Sequence, residues 1–363
     1  MQKKLLGESG DNPSFWKDKR VFVTGHTGFK GGWICLWLKH LGAEVIGYSL
    51  EPATVPSLFE VANVGEGMQS IIGDIRDNTK LSKAISKSNP DLVIHMAAQP
   101  LVRYSYAQPA ETYEVNVMGT VFLLEAVRAM PSVKAIVNVT SDKCYENQER
   151  IRGYSENEAM GGVDPYSSSK GCAELVTSAY RQSFFEPAGI ALASARAGNV
   201  IGGGDWAADR LIPDLLRALD AGETLNIRSP KAVRPWQHVL EPLSGYLMLA
   251  EQLYTNGTSF AEGWNFGPSD DDSRTVSWII ERMAKMRKDI NWQCGEVPQL
   301  HEANLLKLDS SKARHQLNWQ PVWRLQTALQ KTLEWHEAWR NAEDMQAVSL
   351  AQINDYLSTL RGD

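Results

Sequence analysis

The sequence is short of cysteine, of positive charge and of long apolar runs. Its four cysteines, Cys35, Cys144, Cys172 and Cys294, are scattered, and no pair has the spacing of a zinc site or a redox centre. That excludes a disulfide-stapled module and points to reduced thiols and a cytoplasmic setting. Lysine and arginine total 37 against 43 aspartates and glutamates, a formal charge of -6. A general nucleic-acid binder needs a basic face, so that class is excluded, while a local basic pocket stays open. No apolar run is long enough to span a bilayer, and the first residues carry no apolar core of a signal peptide. No membrane partner is expected. Asp270-Asp271-Asp272 has no complementary cluster around it and is expected to be a solvated loop, so no metal is expected. Neither an internal repeat nor a low-complexity tract is present. What remains is an ordinary globular composition, 43% hydrophobic and 22% charged, in a chain of 363 residues. Its 12 tryptophans are expected mainly as core and interface filling.

A regular alternation runs through the first half. Strands are predicted near 20–24, 44–48, 70–73, 91–95, 134–140 and 190–195. Helices are predicted over 28–41, 78–88 with Asn78 as N-cap, 109–130 and 165–185. Strands that alternate with helices pair in parallel through right-handed crossovers. The expected class is α/β: a doubly wound parallel (Rossmann) sheet with a smaller, interleaved α/β substrate domain. The dinucleotide domain is placed at 19–196 plus about 237–263, the substrate domain at about 197–236 and 264–363, and a loose arm at 1–18. A helix is predicted over 325–340, with Leu325, Ala328, Leu329, Leu333 and Trp339 near one face.

Gly25, Gly28 and Gly31 follow the first strand and open a helix through Phe29 and Lys30. In that context the glycines permit a tight turn, and the helix N-terminus offers free N–H groups to a pyrophosphate. After the second strand stand Ser49 and Glu51, with no arginine directly following to hold a 2′-phosphate, so NAD is expected over NADP. Glu51 could equally be a solvated loop residue. Asp74 and Ile75 end the third strand, where a carboxylate can accept from an adenine amine; turn-capping competes for Asp74. Ala97 and Ala98 end the fourth strand with side chains small enough for a cofactor to cross. Tyr166 and Lys170 lie one helical turn apart on one face. A neighbouring ammonium favours the phenolate of a tyrosine, which can then take a hydroxyl proton as a hydride leaves its carbon. Ser141 is placed to bond the same hydroxyl.

The glycine spacing, His95-Met96-Ala97-Ala98, Asn116, Tyr166-x-x-x-Lys170 and Leu308-Asp309-Ser310-Ser311 together resemble an extended short-chain dehydrogenase/reductase acting on a nucleotide sugar. The strings Thr24 to Gly31, Arg196 to Trp206 and Arg234 to Val239 are similar to the CDP-glucose branch of the sugar 4,6-dehydratases. The resemblance covers nearly the whole chain. It implies Asp142 as the acid that protonates a departing C6 hydroxyl. It leaves Lys143, where related branches carry glutamate, either as the C5 base or as a residue that orients a water. It implies NAD as cofactor, CDP-glucose as substrate, and Asn199, Arg210, Arg234 and Arg274 as substrate-binding residues, with Trp236 and His238 as weaker candidates. It also implies a homodimer or homotetramer formed through the helices 109–130 and 165–185. Two rivals stand beside this reading: another nucleotide-sugar enzyme, which is an epimerase or a GDP-mannose or UDP-sugar dehydratase, and a catalytically silent dinucleotide-binding protein. An epimerase has no use for the Asp142–Lys143 pair, and a silent dinucleotide-binding protein has no use for an intact Tyr166–Lys170 pair.

Overall fold

Six short strands alternate with helices along the first half of the chain: β1 Arg20–Thr24, β2 Glu44–Ser49, β3 Gln69–Ile72, β4 Leu92–His95, β5 Ala135–Val139 and β6 Ala191–Ala197. A seventh, Gly263–Phe266, returns from much later and completes one sheet. The computed structural model describes residues 12–227, 229–295 and 305–362. The sheet order is Gly263–Phe266, β6, β5, β4, β1, β2, β3, and every pairing is parallel. The chain therefore winds outwards from β1 in both directions. At that reversal the first crossovers diverge and leave a crevice beyond the strand ends, the usual ligand position in such sheets. Buried strands such as Val21–Val23 and Ala135–Val139 read as near-continuous apolar runs because helices cover both faces.

The helix Phe29–His40 is apolar almost all round. One side packs on the sheet. On another, Trp37 meets Tyr356 of the final helix, Met345–Arg361, edge to face at 5.6 Å. Trp33 donates from Nε1 to the Gly203 carbonyl at 2.9 Å and so ties this helix to the glycine-rich segment after β6. The helix Leu240–Asn256 packs behind β5 and β6. The main sheet thus takes up residues 264–266 as well, and the last helix covers the first. Both stretches were expected in the substrate domain; burial of the tryptophan face is what draws the last helix back.

Three local expectations are corrected. Residues 1–11 of the expected arm lie outside the described residues. From Asn12 onwards the chain is folded: Asn12 caps the short helix Pro13–Trp16, and Trp16 is fully buried. The helix Asn78–Ser88 is capped by Asp77, whose carboxylate accepts from the Lys80 N–H at 3.0 Å, and not by Asn78. The predicted helix 109–130 is Pro109–Tyr113 and Gly119–Arg128 joined by a π turn, Glu114–Met118. That wide turn carries Asn116. Its side chain accepts from the Gln99 N–H at 2.8 Å and donates to Ser169 Oγ at 2.8 Å, so it locks the loop after β4 to the helix Pro165–Tyr180.

The smaller region is built from two-stranded ribbons. Val233–Pro235 pairs antiparallel with Ser273–Thr275, Thr224–Ile227 pairs parallel with Asn291–Cys294, and Val200–Ile201 pairs parallel with Gln237–His238. They close over a core of their own, with Ile212, Leu215, Ile279, Ile280, Met283 and Leu329 at its centre.

Candidate active site

A cavity of about 590 Å³ opens beyond the carboxyl ends of β1, β4 and β5 and runs under the smaller region. Its first wall is the glycine turn. Gly25 has φ +78°, and a Cβ there would sit 2.8 Å from the Ala97 nitrogen. A Cβ on Gly31 would fall 1.9 Å from the Gly25 carbonyl oxygen. The turn can close this tightly only without side chains. Gly28 is the N-cap of Phe29–His40, and no side chain caps that end. The free N–H groups of the first helical turn therefore face the cavity, with the helix dipole behind them. This cradle fits a pyrophosphate. Ser49, Glu51, Asp74, Ile75, Ala97 and Ala98 line the same wall. Thr27 Oγ1 is hydrogen-bonded to Ser49 Oγ at 2.9 Å. Asp74 is engaged by Arg76, whose Nη2 lies 2.6 Å from Oδ2. No lysine or arginine lines the wall between Tyr48 and Asp74 among the described residues.

The second wall holds the proton-moving groups. Ser141 follows β5 and caps a single turn, Asp142–Cys144. Its hydroxyl donates to Asp142 Oδ1 at 3.0 Å, accepts from the Lys143 N–H at 3.2 Å, and is hydrogen-bonded with the Tyr166 phenol. Asp164 caps the helix Pro165–Tyr180, accepting from the Ser167 N–H at 2.9 Å, and so fixes the first turn on which Tyr166 stands. Ser141, Asp142, Lys143, Tyr166 and Lys170 all line the cavity. Burial pushes the Tyr166 phenol up to about 12, against the pull of the Ser141 hydrogen bond. Burial pulls the Lys170 ammonium down to about 8. It also raises the Asp142 carboxyl, although Lys143, Ser141, Arg234 and Lys30 all act to lower it. Desolvation thus wins at each group, and a carboxyl that tends to keep its proton is what a general acid requires. Asp142 packs on bare backbone: a Cβ on Gly198 would meet its Oδ2 at 2.9 Å.

Lys30, read from the sequence as part of the phosphate turn, does more. Its side chain reaches the same cavity, and the ammonium lies 5.9 Å from the Tyr246 ring centroid. Burial, then the charges of Arg210 and Lys170, pull it down to about 8.

Asn199, Arg210 and Arg234 line the outer end of the cavity together with Trp236. Arg210 precedes the helix Leu211–Ala221 and pairs with Asp205 at 2.8 Å. Arg234 is buried on its ribbon. Arg274 pairs with Arg234 in register but is exposed and outside the cavity lining; its guanidinium lies 5.4 Å from the Trp278 ring centroid. The structure therefore sets Arg274 beside Arg234 but not in the cavity that the other three line. His238 is buried between Trp33 and Trp323, and burial lowers it to about 3, so it is a neutral packing residue outside the cavity lining. Arg103, unremarked in the sequence, also lines the cavity, 3.5 Å from Asp209. Nothing in its local pattern marks it, because only the fold brings it there. No group of three or more metal-ligating side chains occurs among the described residues, and no described helix is long and apolar enough to cross a membrane.

A family model described as GDP-mannose 4,6 dehydratase matches residues 22–332. The chain is 57% identical over 351 residues to a CDP-glucose 4,6-dehydratase of Salmonella typhimurium, covering 95% of this chain and 98% of the relative. It is 24% identical over 342 residues to a dTDP-glucose 4,6-dehydratase of Shigella flexneri, covering 88% of this chain and 93% of the relative. Among solved structures, a Bacillus anthracis dTDP-glucose 4,6-dehydratase in complex with NAD superimposes with a TM-score of 0.73 at 22% identity, covering 90% of this chain and all of that one.

Proposed function

The chain belongs to the GDP-mannose 4,6 dehydratase family, and from that premise we propose that it is a NAD-dependent lyase that converts CDP-glucose to CDP-4-keto-6-deoxyglucose. The observation that carries this reading is the meeting of Asp142 with Tyr166 through one hydroxyl, Ser141, in one cavity. A simple dehydrogenase or an epimerase uses the Tyr166–Lys170 pair alone. An additional buried acid is needed where a hydroxyl must leave.

The glycine turn, the uncapped helix end and Ala97–Ala98 would hold NAD, in the cavity that Tyr166 and Lys170 also line. Bound there, NAD supplies a reversible hydride acceptor. Tyr166 takes the proton of the C4 hydroxyl as that carbon is oxidised, and Lys170 supports the phenolate charge. The resulting C4 ketone acidifies the C5 hydrogen. Asp142 donates its proton to the departing C6 hydroxyl, which leaves as water. Lys143 either removes the C5 proton itself or orients the water that does. When hydride returns to C6 and a proton to C5, the cofactor is as it began. Asn199, Arg210 and Arg234 are assigned to the nucleoside diphosphate, since a guanidinium fork pairs two phosphate oxygens at once. The same reading places the enzyme in the cytoplasm, as a homodimer or homotetramer, supplying a deoxysugar for surface polysaccharide such as O-antigen.

The test is redox balance. CDP-glucose should turn over completely with NAD present only in catalytic amount, and NMR should show a 4-keto-6-deoxy sugar. Stoichiometric NADH would mark a plain dehydrogenase instead. NAD should also outperform NADP, because the wall beside Ser49 and Glu51 offers no cation to a 2′-phosphate.

A further inference from the structure

Glu174 lies one helical turn beyond Lys170, and its side chain and that of Arg196 are only 4% and 5% exposed. Arg196 donates from Nε and Nη2 to the two carboxylate oxygens at 2.9 and 2.6 Å. Ser194 donates to the same carboxylate at 2.7 Å, and so does the Thr140 hydroxyl. Thr140 immediately precedes Ser141. The remaining Arg196 nitrogen, Nη1, donates to Tyr145 Oη at 2.7 Å and to the Glu156 carbonyl at 3.1 Å. Tyr145 immediately follows the turn Asp142–Cys144. One ion pair therefore grips the turn that carries Asp142 at both its ends, and it does so from the helix that carries Tyr166 and Lys170.

Neither Glu174 nor Arg196 lines the cavity, and the reaction assigned above does not use them. A buried ion pair is also a weak way to stabilise a fold, because desolvation offsets most of its attraction and apolar replacements often serve as well. What this pair does supply is fixed geometry. We propose that Glu174 and Arg196 are positioning residues for this reaction: they hold the Asp142 turn in register with the Tyr166–Lys170 helix.

The inference rests on the dehydratase reading for its assay. The test uses the full chain carrying Glu174→Gln with Arg196→Met, which removes the pair without leaving a buried charge. Near-ultraviolet circular dichroism and a thermal melt establish that it folds. KM for CDP-glucose should stay within about 3-fold while kcat falls about 100-fold, the usual cost of a misplacement near 1 Å. Glu174→Asp shortens the reach to Thr140, so it should also leave kcat low. A folded double variant with wild-type kcat overturns the proposal, as does a loss confined to KM. If the double variant does not fold, Glu174→Asp decides: wild-type kcat overturns the proposal. If wild-type protein fails to turn over CDP-glucose, the dehydratase reading falls by itself. The comparison is then read from the tyrosinate absorbance of Tyr166, taken as a difference from Tyr166→Phe. An unchanged titration in the folded variant overturns the proposal.

Discussion

Burial decides where protons rest in this cavity, and it assigns different steps to neighbouring groups. Asp142 is raised by desolvation in spite of the Lys143, Arg234 and Lys30 charges around it. It is therefore suited to donate a proton, and Asp142→Asn removes that donor while keeping its shape. The variant should still oxidise C4 and should accumulate enzyme-bound NADH with a 4-ketoglucose. Turnover should fall by about 10²–10⁴-fold, the range of general acid catalysis. Tyr166→Phe should fail earlier, with no NADH at all. Lys143→Ala should resemble Asp142→Asn if its task is at C5, and in D₂O the wild-type product should carry deuterium there. NADH formation lost as completely in Lys143→Ala as in Tyr166→Phe would move Lys143 to the oxidation step. These residues were legible in the sequence because each sits in a local motif. Glu174 was half legible, four residues after Lys170 on the same helical face. Arg103 was not, since it reaches the cavity only through tertiary packing.

At the level of elements, the strands and helices of the sheet were readable because buried parallel strands are apolar throughout and glycine turns punctuate them. The seventh strand, Gly263–Phe266, and the final helix were missed, since each pairs with something far away in sequence. The acidic run shows why charge alone misleads. Asp272, expected in a solvated loop, is buried and accepts from Arg324 Nε at 2.8 Å and from the Leu325 N–H at 3.3 Å, which anchors the start of the helix Leu325–Arg340. Glu241, near the start of Leu240–Asn256, does similar work at a different cost. It accepts from the Trp323 N–H at 2.6 Å and from Tyr356 Oη at 2.9 Å, so it clamps the 321–323 turn and the final helix to the sheet. Burial pushes it up to about 8. Because its folded value lies above its unfolded one, the folded state holds the extra proton. The stability this contributes is complete below about 4.5 and is lost as pH rises through about 8. Glu241→Gln mimics the protonated acid and should flatten that part of the stability–pH curve. Denaturant melts across this window check it, and parallel curves for wild type and variant would refute it. Glu241→Ala should destabilise at every pH, by about 1–3 kcal/mol for each buried donor left unpaired.

Over the whole molecule, charge and apolar surface are distributed unevenly, and both patterns serve one reading. The chain is acidic at -6, yet Lys30, Lys143, Lys170, Arg210 and Arg234 converge on a single cavity. A cofactor pyrophosphate and a nucleoside diphosphate would bring comparable negative charge there. The outer surface carries a second asymmetry. Tyr113, Met118, Leu175 and Phe184 are 36–62% exposed on the two long helical stretches, 109–128 and 165–185, the pair expected to form the contact between subunits. Leu175 sits on the helix Pro165–Tyr180 that carries Tyr166, on its outward side, so a partner packed there would brace the catalytic helix from behind. A stable interface buries about 800 Å² on each partner, and a charge at its centre would have to be desolvated without a counter-ion. Leu175→Asp should therefore turn a wild-type dimer or tetramer into smaller species in sedimentation velocity. The circular dichroism spectrum should not change, because Leu175 is 62% exposed and contributes little to the core. Activity should fall with dilution in the variant and not in the wild type, since the isolated helix loses its external support. If the wild type sediments as a monomer, or if Leu175→Asp leaves its assembly intact, these helices are not the contact and the apolar face needs another explanation.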